Sequence, residues 1–120
     1  MSEFKPAPVK AIVTFSTFEA LDVRVGTIQK VEEVARSEKL MRLTVGFGDH
    51  TRVILAGIKQ ERSNPKEIEG KQALFVLNLE PRKMAGEVSE GMLFDIGYAD
   101  GITPVLATPE RSVPDGVRAG

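Results

Sequence analysis

The feature that most restricts the fold of this 120-residue chain is a strict alternation of apolar and polar residues in its first half. The apolar members of the alternation are Met41, Leu43, Val45 and Phe47. A period of two residues is typical of a β-strand that buries one face. A Gly-Asp-His turn follows at 48–50, and 51–58 is again rich in β-forming residues. Residues 39–58 are therefore predicted to form a β-hairpin.

Three further segments are predicted to be main strands of the same sheet. Residues 22–31 form the first strand, and Gly26 interrupts its alternation, which predicts a β-bulge there. Residues 73–79 are almost continuously apolar, as in a strand that is buried on both faces. Residues 92–98 alternate again and form the last main strand. Its aromatic side chains, Phe94 and Tyr98, are predicted to point into the core.

Two short helical segments are predicted between and before these strands. A helix is expected within 64–70, where Asn64 is the N-cap residue and Pro65 the first helical residue. At most one helical turn is expected over 17–21, with Thr17 as its cap.

Five main strands with a short helix after the third predict an all-β domain, a five-stranded barrel of the OB type. Residues 17–120 form this domain, and residues 1–16 are an N-terminal extension that includes a short strand at 11–15. Residues 81–89 are expected to be a loop. The last stretch, 103–120, exceeds what one barrel needs, and we expect it to cover an edge strand or to build a dimer interface.

The composition excludes several classes of site. The chain has no cysteine, which rules out a disulfide scaffold, a zinc–thiolate site and a thiol nucleophile. The single histidine, His50, is predicted to be a solvated turn residue, and no phosphate-binding loop is present. We therefore expect a protein that is not an enzyme and that needs neither a metal nor a cofactor.

The charge and hydropathy patterns restrict the partners and the location. Sixteen basic residues face seventeen acidic ones, so any contact with nucleic acid must come from a local patch. No apolar run is long enough for a secretory signal or a membrane span, and the cysteine-free composition fits the cytoplasm.

Four segments, taken in order and with their spacing, carry a family resemblance: 18–28, 37–48, 70–86 and 89–93. The chain resembles the tRNA-binding OB-fold domain. This domain occurs as free-standing tRNA-binding proteins, as an appendix of methionyl- and phenylalanyl-tRNA synthetases, in a cytokine-like polypeptide, and in the CsaA-type secretion chaperones. The likeness to the CsaA type is carried by Leu21-Asp-Val-Arg-Val-Gly-Thr-Ile28, by Gly57-Ile-Lys-Gln60, and by Pro81-Arg-Lys-Met-Ala-Gly86 followed by Ser89-Glu90.

The resemblance places an RNA-facing site around the loop that follows the strand at 73–79. The expected site residues are Asn78, Arg82, Lys83, Met84, Ser89 and Met92, with Lys39 and Arg42 of the hairpin extending a basic track. Arg82 and Lys83 would neutralise phosphates. Asn78 and Ser89 would hydrogen-bond base edges or a ribose 2′-hydroxyl, and Met84 would pack on a base. Because the aromatic residues are expected in the core, recognition of a folded RNA by shape is favoured over base stacking.

Three functions remain open at this stage. The first is a homodimeric OB-fold protein that binds tRNA without catalysis, the dimer doubling the number of weak patches. The second is a chaperone that binds unfolded precursor proteins for secretion, through exposed apolar grooves. The third is an accessory factor that docks on an aminoacyl-tRNA synthetase.

Overall fold

Five antiparallel strands wind into a nearly closed barrel. A computed structural model describes residues 4–120, so the first three residues of the predicted extension lie outside the described part. The strands are β1 (Val23–Glu33), β2 (Met41–Gly46), β3 (Thr51–Ala56), β4 (Gln72–Val76), β5 (Arg82–Met84), β6 (Glu87–Ser89), β7 (Met92–Leu93), β8 (Asp95–Ile96) and β9 (Val105–Leu106). The barrel sheet has the order β3-β2-β1-β4-β7. The predicted mainly β, five-stranded barrel of the OB type is confirmed.

The hairpin predicted over 39–58 is formed by β2 and β3. Its register runs from Met41 opposite Ala56 to Gly46 opposite Thr51. Met41, Leu43 and Val45 are buried, whereas the residues between them are half-buried, so the alternation follows the buried face as expected. The fully buried centre of the core comprises Phe75, Ile28, Leu43, Ile54 and Ile68.

The bulge in β1 lies three residues after the predicted position. The register with β2 shifts between Ile28 and Lys30, which leaves the extra residue at 29 and not at Gly26. Gly26 has a different role. A Cβ atom at this position would lie 2.6 Å from side-chain atoms of both Phe47 and Val45. Glycine therefore lets the β1 backbone approach the core closely.

Hydrogen bonds between β3 and residues 89–90, at the end of β6, close the barrel. The Glu90 N–H donates to the Val53 carbonyl at 2.8 Å, and the Val53 N–H donates to Glu90 Oε1 at 2.8 Å. The Leu55 N–H donates to Ser89 Oγ at 2.9 Å. These bonds connect the hairpin to the last barrel strand, β7, which pairs with β4 through Phe75 opposite Leu93.

The N-terminal helical turn begins earlier than predicted. Helix α1 spans Phe15–Glu19, and its cap is Thr14, whose Oγ1 accepts from the Thr17 N–H at 3.2 Å. The predictions of a Thr17 cap and of a strand at 11–15 are wrong. The hydroxyl of Thr14 satisfies a free N–H of the first turn, which favours helix over strand at Phe15.

The helix predicted within 64–70 is a short 3₁₀-helix, Pro65–Ile68. Asn64 precedes it without a side-chain cap bond; its carbonyl accepts from the Glu67 N–H at 3.0 Å instead. No helix in residues 4–120 has the length and apolar character that crossing a membrane requires.

The segment predicted as one strand over 92–98 is broken, and its buried face is the opposite one. Leu93 is 8% exposed, whereas Tyr98 is 71% exposed and Phe94, the residue directly after β7, is also exposed. The phase is set by β4, because Leu93 lies opposite the buried Phe75 and shares its face. The chain then leaves the barrel to pair as β8 with β9. The prediction that Phe94 and Tyr98 point into the core is wrong.

The predicted loop at 81–89 is a β-hairpin. Strands β5 and β6 pair with Arg82 opposite Ser89 and Met84 opposite Glu87. The two turn residues, Ala85 and Gly86, have φ values of 51° and 84°. Positive φ at both central positions is the geometry of a type I′ turn, which matches the twist of paired strands.

The C-terminal stretch pairs with the free edge of β1. The Val25 N–H donates to the Val117 carbonyl, and the Ala119 N–H donates to the Val23 carbonyl, each at 2.9 Å. Residues 116–119 therefore cover an edge of β1, as one of the two expected roles of 103–120 requires.

Candidate nucleic-acid interface

A cleft of about 780 Å³ lies where the β1–β2 loop, the end of β3, the β5–β6 hairpin and the segment 91–100 meet. Five of the eight predicted site residues line it: Lys39, Arg82, Met84, Ser89 and Met92. The other three, Asn78, Lys83 and Arg42, are not among its lining residues. The barrel thus brings together side chains that are more than fifty positions apart in the sequence.

The exposed cations of the site are Lys39, Arg82 and Lys83. Arg82 and Lys83 are neighbours on β5, and side chains of successive strand residues point to opposite faces. This alternation explains why Arg82 lines the cleft and Lys83 does not. Within residues 4–120, none of the three cations takes part in an ion pair.

Arg42 is engaged by carboxylates. Its Nε and Nη2 donate to the two carboxylate oxygens of Glu87 at 2.7 and 2.6 Å, and Glu32 lies 3.5 Å from Nη1. The hydrogen bond from Arg42 lowers the pKa of Glu87, and the carboxylate raises the pKa of Arg42. This bidentate pair connects β2 to β6 and holds the hairpin against the barrel.

The two predicted hydrogen-bonding residues have partners within the protein. Ser89 is buried; its Oγ accepts from Leu55 and donates to the Gly91 carbonyl at 2.9 Å. Asn78 is exposed. Its Oδ1 accepts from the Asp22 N–H at 2.8 Å, and its Nδ2 donates to the Ala20 carbonyl at 2.6 Å. Ser89 therefore supports the backbone at the cleft, whereas Asn78 connects the segment after β4 to the segment after α1.

Sequence reasoning missed the aromatic and acidic residues of the cleft. The aromatic residues Phe94 and Tyr98 line it, together with Leu79 and four acidic residues, Glu61, Glu80, Asp95 and Asp100. Burial raises the pKa of Asp95, and burial followed by the charge of Asp95 raises the pKa of Glu61. The sequence did hold a signal, because Leu93 and Phe94 are adjacent apolar residues. Either of the two could belong to the buried face of the strand, so the other could face the cleft.

His50 lies in the β2–β3 turn as predicted, away from the cleft lining. Its Nδ1 is 2.6 Å from Asp49 Oδ1, and its ring stacks on Phe47 with centroids 5.6 Å apart. The Arg52 Nε–H donates to His50 Nε2 at 3.1 Å. The histidine is thus part of a turn that packs on the core.

A small barrel of this topology, with a cleft bordered by cations, defines a binding domain of the OB class. The chain belongs to the family described as "Putative tRNA binding domain", whose model matches residues 23–118.

Individual relatives agree with this membership. The chain is 39% identical over 115 residues to a methionine–tRNA ligase of Bacteroides fragilis; the match covers 96% of the chain but 17% of the ligase. The structure of a MetRS-related protein from Pyrococcus horikoshii is similar with a TM-score of 0.84 and 34% identity, covering 92% of this chain and 100% of the other. The chaperone CsaA of Bacillus anthracis is similar with a TM-score of 0.80, 31% identity and the same coverage. The predicted resemblance is confirmed.

Proposed function

We propose that this protein binds tRNA without catalysis, as a homodimer, through the cleft and the exposed face of the β5–β6 hairpin. The observation that carries the proposal is the group of exposed cations, Lys39, Arg82 and Lys83, in a member of a tRNA-binding family. Met84 and Met92 offer apolar contact surface beside them. Arg42 and Ser89 hold the hairpin that carries this surface, since their polar atoms are bonded within the chain. Asn78 is bonded to the segment after α1.

The charge distribution suits weak, local phosphate binding. The chain as a whole carries a net charge of −1, so attraction to RNA depends on the few cations at the cleft. Two or three phosphate contacts give a shallow salt dependence and modest affinity. Two linked copies of the site would raise the effective concentration and therefore the overall affinity.

Exposed apolar residues outside the cleft support the dimer. Val9 and Ile12 of the N-terminal extension are almost fully exposed, and Ile96 on β8 and Val105 on β9 are about half exposed. A second cleft of about 550 Å³ is lined by apolar residues of α1 and the C-terminal segment, Phe15, Phe18, Leu21 and Val117. Apolar surface of this extent on a small domain favours association with another protein surface. Sedimentation should accordingly give twice the monomer mass of 13.1 kDa.

The RNA-binding proposal is tested by filter retention of total tRNA across a salt series. The variant Arg82→Ala/Lys83→Ala should bind more weakly, and its log–log salt slope should be smaller by about 1 to 2. The matched control is Lys66→Ala/Arg111→Ala, which removes the same charge from exposed positions outside the cleft lining. Absence of wild-type binding at moderate salt, or equal losses in both variants, would contradict the proposal.

A chaperone for unfolded precursor proteins is the second candidate function. Two observations support it: the exposed apolar residues of the N-terminal extension and of β8–β9, and the similarity to the CsaA chaperone. Suppression of aggregation of an unfolded protein by the wild type, without any tRNA binding, would favour it. The similarity to methionine–tRNA ligases keeps docking on a synthetase as a third candidate, which co-sedimentation with a purified synthetase tests.

A further inference from the structure

We infer that the cleft binds unpaired nucleobases, which stack on Phe94 and Tyr98 while Lys39 and Arg82 bind the flanking phosphates. This inference rests on the proposed RNA-binding function and specifies the part of the RNA that the site recognises. It replaces the expectation that a folded RNA is recognised by shape and not by base stacking, because that expectation depended on the aromatic residues being in the core.

The two aromatic rings are available to a ligand. Phe94 and Tyr98 both line the cleft, and both are exposed although their rings are large and apolar. Met92, on the same face of the chain, and Leu79 extend this apolar surface. Aromatic faces that lie beside cations are the usual platform for stacking of single-stranded bases.

The acidic residues of the cleft select bases over phosphates. Four acidic residues, Glu61, Glu80, Asp95 and Asp100, line it against two basic residues, Lys39 and Arg82. A backbone phosphate would be repelled from such an interior, whereas carboxylate oxygens accept hydrogen bonds from the amino groups of cytosine, adenine and guanine. These amino groups are engaged in a double helix and free in an unpaired base. The favoured ligand therefore turns its base edges inward and its backbone outward.

The shape of the site agrees with this orientation. A cleft of about 780 Å³ is in the range that holds a small organic ligand, so it suits a splayed-out nucleotide. A double helix is convex and would contact the rim alone. Loops and free ends are the parts of a folded RNA whose bases can be splayed out in this way.

Intrinsic fluorescence tests the inference directly, because Tyr98 is the single tyrosine of the chain and tryptophan is absent. The probes are a mixed-sequence single-stranded RNA heptamer and a blunt duplex of the same sequence. The heptamer should quench the tyrosine signal in a saturable manner, and the duplex should not. Oligocytidylate should bind better than oligouridylate, since uracil lacks an amino group.

Two variants connect the signal to the stacking surface. Phe94→Leu should weaken heptamer binding about tenfold. Phe4→Leu is the matched control, because Phe4 is an exposed phenylalanine outside the linings of both clefts, and it should bind like the wild type. Tyr98→Leu, followed by filter retention instead of fluorescence, should show a similar loss. Circular dichroism of each variant establishes that it is folded.

The failures of the two proposals are distinguishable. Retention of tRNA on filters with no change in tyrosine fluorescence would overturn the stacking inference and leave tRNA binding intact. Equal quenching by duplex and heptamer would also overturn it. A tyrosine signal that changes with protein concentration and not with RNA would assign this face to a second copy of the chain. Loss of filter retention in the wild type would overturn the function and the inference together.

Discussion

Replacing Ser89 by alanine should destabilise the barrel, because this hydroxyl connects β3 to the segment after β6. Its Oγ accepts the Leu55 N–H and donates to the Gly91 carbonyl, both at 2.9 Å. Ser89 is 2% exposed and Leu55 is buried, so water cannot replace the lost acceptor. The substitution would leave the Leu55 N–H without a partner at the closure of the barrel.

The expected cost follows from the burial of these groups. A buried N–H without an acceptor costs about 1–3 kcal/mol. Gly91 is half-buried, so its carbonyl should lose less. We therefore expect the free energy of unfolding to fall by about 2 kcal/mol. In a domain of this size the midpoint of thermal unfolding, Tm, would fall by roughly 8 °C.

Thermal unfolding followed by far-UV circular dichroism measures this effect. The control is Ser112→Ala at an exposed position, which should leave the Tm unchanged. Filter retention of tRNA well below the Tm then separates stability from binding. The reasoning is refuted if Ser89→Ala has the same Tm as the control variant but binds tRNA more weakly. The hydroxyl would then act on the ligand and not on the barrel.

Three further substitutions test the packing and the charges. Gly26→Ala should lower stability by about 1–3 kcal/mol in urea unfolding, because the new methyl group would overlap the Phe47 ring; an unchanged urea midpoint would contradict the close approach. Arg42 lowers the pKa of Glu87, so their pair stabilises the fold above the ordinary glutamate pKa of 4.5 and this contribution is lost as the pH falls. Glu87→Gln should therefore speed amide exchange in the β5–β6 hairpin relative to the wild type at neutral pH and change it little in acid. A ratio of variant to wild-type exchange rates that is the same at both pH values would refute the pair. Burial raises the pKa of Asp95, so its charged form opposes folding, and Asp95→Asn should raise the Tm at neutral pH but not below the ordinary aspartate range.

Local periodicity was sufficient for the elements that pair with sequence neighbours. The β2–β3 hairpin was predictable because a period of two residues and a polar turn are properties of adjacent residues. The same reasoning failed at 92–98, where Leu93 and Phe94 are both apolar and either phase satisfies the pattern. Pairing with β4 decided the phase, and that pairing joins strands from different parts of the chain.

The sequence pointed to a region where a cleft does form, but not to the state of its side chains. The motif around Arg82 and Lys83 lies in the segment 81–89, which was predicted as a loop and is a hairpin, and a cleft forms beside it. Sequence position could not show that Arg42 is held by Glu87, 45 residues away. A basic residue and its potential partner have the same local pattern whether they meet or remain apart.

The sequence by itself determined the β-rich class, the family and the buried face of β2, because these follow from composition, period and ordered motifs. The tertiary structure alone decided which polar groups remain available to a ligand and which aromatic rings face the cleft. The physical reason is that burial and hydrogen bonding depend on partners brought together by the closure of the barrel. Ser89 and Tyr98 illustrate both outcomes: the expected ligand contact is buried in the barrel, and the expected core residue lines the cleft.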